Sequence, residues 1–287
     1  YRQAARNNHY PNFQQAMRNN PTRSPYDPDS ETGYNVWINE SLDYNVVADA
    51  MLEDYYGLDK WFKPEVNLKL NIKPIPGLNY QQVVGYENRQ WELHQYWPST
   101  HRSEIDNSRK GHAHLAFSKT ENLTSEGYFS YVKDFKGGHN LNATAGYSYF
   151  EVNGENFGMD NYNFSVDGIK YWDIGQGSYL TDGKAGMSSG KSVTERLFSF
   201  FARANYSYQD KYMLSASIRH EGSSKFAADN RWANFWSATA GWRISNEEFM
   251  KDFDWLDDLK IRFGYGVTGN NDFSATYMAN MLGSDTN

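Results

Sequence analysis

The sequence predicts an all-β fold, an antiparallel transmembrane β-barrel to which this chain contributes about eight strands. Between residues 194 and 268, four consecutive stretches alternate apolar and polar residues, and each stretch is nine to eleven residues long. Such alternation indicates a strand with one apolar face. Roughly 9 to 11 residues let a tilted strand cross a bilayer, whereas strands of soluble proteins are commonly about 5 to 6 residues long.

Each of the four stretches has an apolar set of alternate residues. The sets are Phe198, Phe200, Ala202, Ala204, Tyr206 and Tyr208; Tyr212, Leu214, Ala216 and Ile218; Trp236, Ala238, Ala240, Trp242 and Ile244; and Leu259, Ile261, Phe263, Tyr265 and Val267. Aromatic residues toward the ends and alanine in the middle fit the two aromatic girdles of a membrane barrel. The opposite sets are mainly Ser, Thr, Asn, Gly and Arg, with Phe201 as an exception, so they predict a wet lumen.

Four further strands are predicted upstream, at residues 66–72 and 78–91, in a stretch that ends at 129–133, and at 141–149; a short helix is predicted at 46–55. Connections at 74–77, 134–138 and 209–211 are short, whereas those at 92–117, 153–193 and 221–231 are long. This matches short periplasmic turns and long extracellular loops. By parity, residues 246–258 are periplasmic, and their pattern predicts a short helix there.

A lipid-facing sheet cannot leave strand edges unpaired in hydrocarbon. Eight strands therefore close on themselves or are completed by others. We favour completion, because the chain stops without a strand that has an aromatic end, and a lumen lined by Gly241, Gly264, Gly266 and Ser217 would leave an eight-stranded barrel underfilled.

Composition limits the function classes. Aromatic residues make up 17% of the 287 residues, yet the mean hydropathy is only -0.81, as expected when only alternate residues of each strand meet lipid. The absence of cysteine excludes disulfides and thiolate chemistry. A net charge of -7 without a basic run argues against nucleic acid as a partner. No apolar stretch follows the first residues, so no signal peptide is expected in this chain.

Several segments closely resemble the SusC/RagA family of TonB-dependent outer-membrane receptors. They match in order and spacing as well as in residue identity. They are SFFARANY (199–206), YMLSAS (212–217), GSSKF (222–226), NRW (230–232), AGWRIS (240–245), LDDLKIR (256–262) and YGVTGN (265–270). Weaker similarity reaches back to residues 143–149, 74–78 and 18–22.

The resemblance implies the central section of a barrel of about 22 strands in the bacterial outer membrane. It implies TonB-energised import of a glycan or peptide ligand, a SusD-like surface lipoprotein as a lid, and lipid or lipopolysaccharide around the barrel. TonB would act through a segment without a counterpart here, as would the plug domain and the remaining strands. This chain alone is therefore not expected to transport, and no cofactor is implied.

Aromatic side chains in the predicted loops are the candidate ligand contacts, because a flat ring can stack on sugar faces or peptide side chains. All are placed outside the strands, and Trp97 or Trp172 is the strongest candidate. Packing between loops, or contact with the lid, is the alternative for each. The candidates are Tyr96, Trp97, Tyr171, Trp172 and Trp232, with Tyr179 as a further ring.

Other motifs support weaker hypotheses. His94, His101, His112 and His114 lie in one predicted loop, and the last two would share a strand face; exposed loop histidines are commoner than metal sites, so no metal is predicted. Residues 27–31 alternate acids like a calcium loop but lack its later glutamate. Residues 264–269 match G-x-G-x-x-G on a strand that no helix follows, which argues against a dinucleotide site.

No catalytic motif is present, so no enzyme activity is expected. Two alternatives to an importer remain. A small self-closed barrel could act as an adhesin or structural outer-membrane protein. A soluble sugar-binding sandwich would have to bury the apolar stripe at residues 198–208 against another sheet.

Overall fold

The computed structural model describes residues 2–6, 13–37, 44–192, 194–250 and 255–270. None of the helices within these residues is long and apolar enough to cross a bilayer. The described strands are β1 (Arg2–Arg6), β2 (Asp54–Phe62), β3 (Glu65–Asn71), β4 (Leu78–Trp97), β5 (His112–Phe135), β6 (His139–Tyr162), β7 (Gly186–Lys191), β8 (Glu195–Tyr208), β9 (Tyr212–Ser223), β10 (Trp232–Arg243) and β11 (Lys260–Gly266). The helices are α1 (Phe13–Arg18), α2 (Val46–Leu52) and α3 (Arg102–Asp106), with 3-10 segments at Asp167–Gln176, Ala228–Asn230, Ile244–Asn246 and Glu248–Met250.

The described strands form one sheet in the order β1-β2-β4-β5-β6-β8-β9-β10-β11. Among them, β1 and β11 are the edges, and the sheet is open. Two short strands lie off this path: β3 pairs with β4, and β7 pairs with β6. The chain divides into two compact units. Unit 1 comprises Tyr1–Phe62, Asn88–Thr120 and Gly154–Ser192; unit 2 comprises Lys63–Glu87, Glu121–Asn153 and Val193–Asn287.

The registers in unit 2 bring the predicted apolar sets onto one face. Ala143, Ala204, Ala216 and Ala238 are successive cross-strand partners, which makes a row of alanine through four strands. Aromatic partners such as Tyr208, Tyr212 and Trp242 line up toward one end.

This apolar face is exposed. Phe200 is 54% accessible and Ile261 57%, and Ala216 and Ala240 are exposed as well. A soluble core would bury these side chains, so their exposure is that of a surface meeting lipid rather than water. The predicted antiparallel strands and their apolar stripes are thus confirmed, and the sandwich alternative, which requires a buried stripe, is wrong.

The opposite face of unit 2 carries polar side chains that bond across the strands. The Ser148 and Ser199 hydroxyls are 2.7 Å apart, and those of Ser217 and Ser237 are 2.8 Å apart. Ser215 donates to the Asn205 amide oxygen at 2.8 Å. Cross-strand bonds of this kind satisfy polar groups on the face that the sequence assigns to the lumen.

All eight predicted strands are present, but three are much longer than a membrane crossing. β4 has 20 residues, and β5 and β6 have 24 each. At about 3.3 Å per residue, 24 residues span roughly 80 Å, against about 30 Å of hydrocarbon. The predicted loops at 92–117 and 153–193 are therefore partly strand. Outside lipid neither face needs to be apolar, so the alternation that marks the crossings disappears.

The predicted helix at 46–55 forms as α2, whose N-terminal amides at Val47 and Ala48 donate to the Asn45 side chain. It ends earlier than expected because β2 begins at Asp54. Among the described residues of the predicted short helix at 246–258, Glu248–Met250 form a 3-10 turn. Phe253, part of that prediction, lies outside the described residues.

Glu247 ties the connection after β10 to the aromatic end of the apolar face. Its Oε1 accepts hydrogen bonds from the Tyr212 hydroxyl at 2.7 Å and the Trp242 indole at 3.0 Å, and its Oε2 from the Lys211 ammonium at 3.0 Å. These bonds lower the pKa of Glu247 from 4.5 to about 2, the bond from Tyr212 contributing most. The ionised carboxylate therefore fixes two girdle rings.

We expect Glu247→Gln to remove part of the pH dependence of stability. A carboxyl whose pKa is lower when folded stabilises fully above its unfolded pKa, and this contribution is lost as the pH falls from about 5 toward 2. Urea midpoints of the receptor in micelles should thus decline across that window, and the decline should be shallower in Glu247→Gln. Asp257→Asn removes a carboxylate from the same connection and serves as the control. Parallel pH profiles for wild type and Glu247→Gln would contradict the assignment.

Candidate functional site

The five candidate aromatic residues belong to two different compact units. Tyr96, Trp97, Tyr171 and Trp172 belong to unit 1, and Trp232 belongs to unit 2. The expectation that all lie outside strands is wrong for three of them. Tyr96 and Trp97 end β4, and Trp232 begins β10, because these strands continue past their alternating stretches.

Tyr96 and Tyr171 are interior residues of unit 1. They are 1% and 7% exposed and form a core with Ala113 and Phe164. The Tyr96 ring meets Phe164 edge-on, with 5.6 Å between centroids. Burial, together with the hydrogen bond to Asp167, raises the pKa of Tyr96 well above its ordinary value. These two buried rings pack inside unit 1 and leave little surface for a ligand to contact.

Asp167 begins the 3-10 segment and binds it to the end of β4. Its Oδ1 accepts hydrogen bonds from the Tyr96 hydroxyl at 2.7 Å and the Ser99 amide at 3.0 Å, and its Oδ2 from the Ser99 hydroxyl at 2.6 Å. Charge-assisted bonds of this kind are stronger than neutral ones. The carboxylate therefore fixes where the segment carrying Tyr171 and Trp172 starts.

Trp97 is one ring of a stack of three. Its centroid lies 4.6 Å from that of His112, which lies 4.2 Å from Tyr162 on its other side, and both pairs are nearly parallel. The His112 Nε2 is 2.8 Å from Asp160 Oδ1. Burial lowers the pKa of His112, while Asp160 opposes the change. One face of Trp97 is thus occupied by the protein.

Trp172 is highly exposed, with 72% of its surface accessible. It belongs to an aromatic platform formed by Tyr56, His94, Tyr171 and Trp172. Centroid distances are 5.5 Å for Tyr56–His94, 5.3 Å for His94–Tyr171 and 4.9 Å for Tyr171–Trp172. Burial lowers the pKa of His94, which favours its neutral form, and its ring lies 6.4 Å from that of Trp172. The rings meet edge-on or tilted, so Trp172 is the exposed ring on a base of packed aromatic side chains.

The backbone before the platform is strained. Lys170 has φ 51° and ψ -141°, a region that residues with a Cβ rarely adopt. Its ammonium pairs with the Asp54 carboxylate, and the Tyr171 hydroxyl lies 3.4 Å from the same group. Sequence reasoning missed Asp54, Lys170, Tyr56 and His94 in this role, since a contact between residues 54 and 170 leaves no local signal.

Trp232 has different surroundings. It lies opposite Gly222 on the apolar face of unit 2 and stacks on His220, with 4.7 Å between centroids and 9° between planes. Phe198 meets it edge-on at 6.3 Å. Its position is that of a girdle residue. Tyr179 instead packs on Tyr162 in unit 1, at 5.3 Å.

The histidines do not gather into one group. His112 and His114 do share a strand face as predicted, and each places a ring nitrogen 2.8 Å from Asp160 Oδ1. His101 caps α3, and His94 belongs to the platform. Within the described ranges, no three His, Asp or Glu side chains converge in a way that could hold a metal ion.

Comparison with known proteins identifies the family. A TonB-dependent receptor of Formosa agariphila is 31% identical over 208 residues, which is 70% of this chain and 19% of that receptor. The TonB-dependent receptor SusC of Bacteroides thetaiotaomicron is 42% identical over 88 residues, 31% of this chain and 9% of SusC. This chain thus spans at most about a fifth of these relatives. No protein-family model matches it.

The fold agrees with the sequence comparison. The structure of the RagAB peptide transporter superposes with a TM-score of 0.70 at 22% identity, over 87% of this chain and 27% of that one. The same importer in its closed-closed state gives a TM-score of 0.72 at 20% identity. The predicted barrel architecture is thereby confirmed as a partial, open sheet. This chain is a SusC/RagA-like stretch of a TonB-dependent receptor, a protein of the bacterial outer membrane.

Proposed function

We propose that this chain forms part of the barrel wall of a nutrient importer that takes up glycan or peptide ligands with energy delivered through TonB. The names of its relatives support a receptor and transporter, and the polar face of unit 2 suits a water-filled lumen. No catalytic step is part of this proposal. The observation that carries the ligand role is the exposed Trp172 on its anchored platform.

The proposal includes a set of partners. A SusD-like surface lipoprotein would cover the barrel, TonB would act through a segment without a counterpart in this chain, and further strands and a plug would complete the receptor. Lipid or lipopolysaccharide would contact the apolar face. Affinity purification of the tagged receptor from outer membranes should recover the lipoprotein. Recovery of the receptor alone, in mild detergent, would count against this partner.

Ligand class is decided by growth experiments. A strain lacking the receptor should lose growth on one class of nutrient, glycan or peptide, when that class is the sole carbon source. Restoring the full receptor should restore growth. Undiminished growth of the deletion strain on every glycan and peptide tested would contradict import.

We expect Trp172→Ala to weaken ligand binding by about 3- to 10-fold, which corresponds to the loss of one aromatic stacking contact. The ring is largely exposed, so stability should barely change. Calorimetric titration of the purified receptor with its growth-supporting ligand measures the effect. Trp255→Ala is the matched control, because Trp255 is similarly exposed at 77% but lies in unit 2. Equal affinities for wild type and Trp172→Ala would remove Trp172 from the site.

A further inference from the structure

β7 is a short strand of unit 1 that has one paired and one unpaired edge. It pairs antiparallel with β6, from Met187 opposite Met159 to Lys191 opposite Glu155. In the part of the chain that the structure describes, no second strand lies beside it. An unpaired edge offers a row of main-chain donors and acceptors to any extended chain that can reach it.

The hydrogen-bonding pattern between β6 and β7 shows which main-chain groups of β7 point toward its unpaired edge. The Ser192 amide donates to the Gly154 carbonyl directly opposite, at 2.8 Å. Hydrogen-bonded and non-hydrogen-bonded pairs alternate along an antiparallel ladder. The N–H and C=O groups of Met187, Ser189 and Lys191 therefore point away from β6, toward the open edge.

This edge lacks the usual protection against strand addition. Proteins commonly guard edges with proline, bulges, several charges or a covering loop. The sequence from 186 to 191 is GMSSGK, which contains no proline and a single charge, and residues 187–191 are exposed. Small side chains leave the main chain open to close approach.

A groove beside the edge adds selectivity. It has a volume of about 450 Å³ and is lined by Phe117, Phe157, Ser189 and Lys191, among others. The two phenylalanine rings are stacked with 5.1 Å between centroids. Glu155 at the same groove pairs with Lys119 at 3.8 Å. Among the described side chains, Lys191 has no ion-pair partner. The groove therefore combines apolar side chains with one cationic side chain that is not held in an ion pair.

We propose that the open edge of β7 binds a free, extended peptide carrying an acidic side chain, which adds to the sheet as a further strand. Main-chain bonds to Met187, Ser189 and Lys191 would supply sequence-independent affinity. Alternate peptide side chains would enter the groove, apolar ones over Phe157 and an acidic one against the Lys191 ammonium. This site is separate from the Trp172 platform, and its test measures binding in detergent without any import step.

The test uses the full receptor in detergent and a fluorescein-labelled hexapeptide, Val-Thr-Asp-Thr-Val-Thr, followed by fluorescence anisotropy. In the extended peptide, two valines and the Asp point to the same face, as the groove requires. We expect saturable binding. The same peptide with every backbone amide N-methylated cannot donate main-chain bonds, so its affinity should fall at least tenfold. Replacing its Asp by Asn should weaken binding about threefold in wild type and have no effect in Lys191→Gln.

Ser189→Pro provides the matching change in the protein. Proline at this position removes only an outward N–H, so it is tolerated as on other edge strands. Affinity for the hexapeptide should fall at least tenfold, while Ser189→Ala, which keeps the main chain intact, should bind like wild type. Circular dichroism and the heat-dependent electrophoretic mobility of each variant check folding.

Three results would overturn the proposal. These are no saturable binding up to about 1 mM peptide, equal affinity for the methylated and unmethylated peptides, or undiminished binding to a folded Ser189→Pro receptor. The peptide comparison uses the wild-type protein, so it remains decisive even if the proline variant does not fold.

Discussion

Ala238→Arg is expected to prevent most of the receptor from assembling in lipid vesicles, whereas Thr239→Arg, one residue further along β10, should assemble normally. Ala238 belongs to the alanine row on the apolar face, with Ala216 and Tyr265 as cross-strand partners. Arginine on the lipid face near the bilayer midplane costs about 2–4 kcal/mol. Thr239 lies on the opposite face, beside Ser215 and Gly264, where a charge stays in water.

The measurement is the folded fraction after dilution from urea into vesicles, read from heat-modifiable mobility on gels. A loss of about 2–4 kcal/mol lowers the folding equilibrium by roughly 30- to 900-fold. The two variants differ by one position and carry the same new side chain, so the comparison isolates the face. Equal assembly of both, or a greater defect in Thr239→Arg, would show that Ala238 does not meet lipid.

The eight predicted strands were recognisable because the membrane imposes a period of two on them. Lipid on one side and water on the other require apolar residues such as Ala204, Ala216 and Ala238 to alternate with polar residues along each strand. This alternation is visible in a short window of sequence. The same demand fixes register, since a slip of one residue would turn every apolar side chain to the lumen.

β1, β2, β7 and the extensions of β4, β5 and β6 escaped prediction for the opposite reason. Burial does not alternate along β2, β7 or these extensions, and pairing satisfies the backbone without selecting an alternating pattern. β2 shows this: its nine residues, Asp54–Phe62, follow α2 directly and alternate only weakly. Strand length beyond the crossing is therefore set by partners distant in the sequence.

The candidate site was predicted only in part for a related reason. Residue type points to aromatic rings as ligand contacts, but exposure decides which ring can meet a ligand. The buried Tyr96 bonds to Asp167, 71 positions away, and Lys170, two residues before the exposed Trp172, pairs with Asp54 across 116 positions. Contacts at such separations have no signature in a local window.

Arg109→Met is expected to lower the free energy of local opening around α3 in unit 1 by about 3–5 kcal/mol. This is the range for breaking a buried ion pair. Glu104 is fully buried, and its carboxylate accepts bonds from the Arg109 guanidinium at 2.8 and 3.0 Å. The guanidinium also lies over the Tyr162 ring, 4.5 Å from its centroid. Methionine fills similar space but leaves a buried charge uncompensated.

Hydrogen–deuterium exchange of the receptor in detergent measures this change. Amides of residues 98–112 should exchange about a hundredfold faster or more in Arg109→Met. Lys119→Met is the control, because the Lys119–Glu155 pair is more exposed and such pairs contribute about 1 kcal/mol or less. Unchanged protection in Arg109→Met would show that the pair does not hold this region.

Two further comparisons separate charge from packing. Adding Glu104→Met to Arg109→Met removes the uncompensated carboxylate, so most of the lost protection should return. In the single variant the loss should also shrink as the pH falls from 8 to 5. Arg109 lowers the pKa of His112, and Glu104 raises it, so without Arg109 this imidazole protonates more readily and brings a positive charge 4.0 Å from the Glu104 carboxylate. A pH-independent loss would mean that Arg109 acts here through its contact with Tyr162 rather than through its charge.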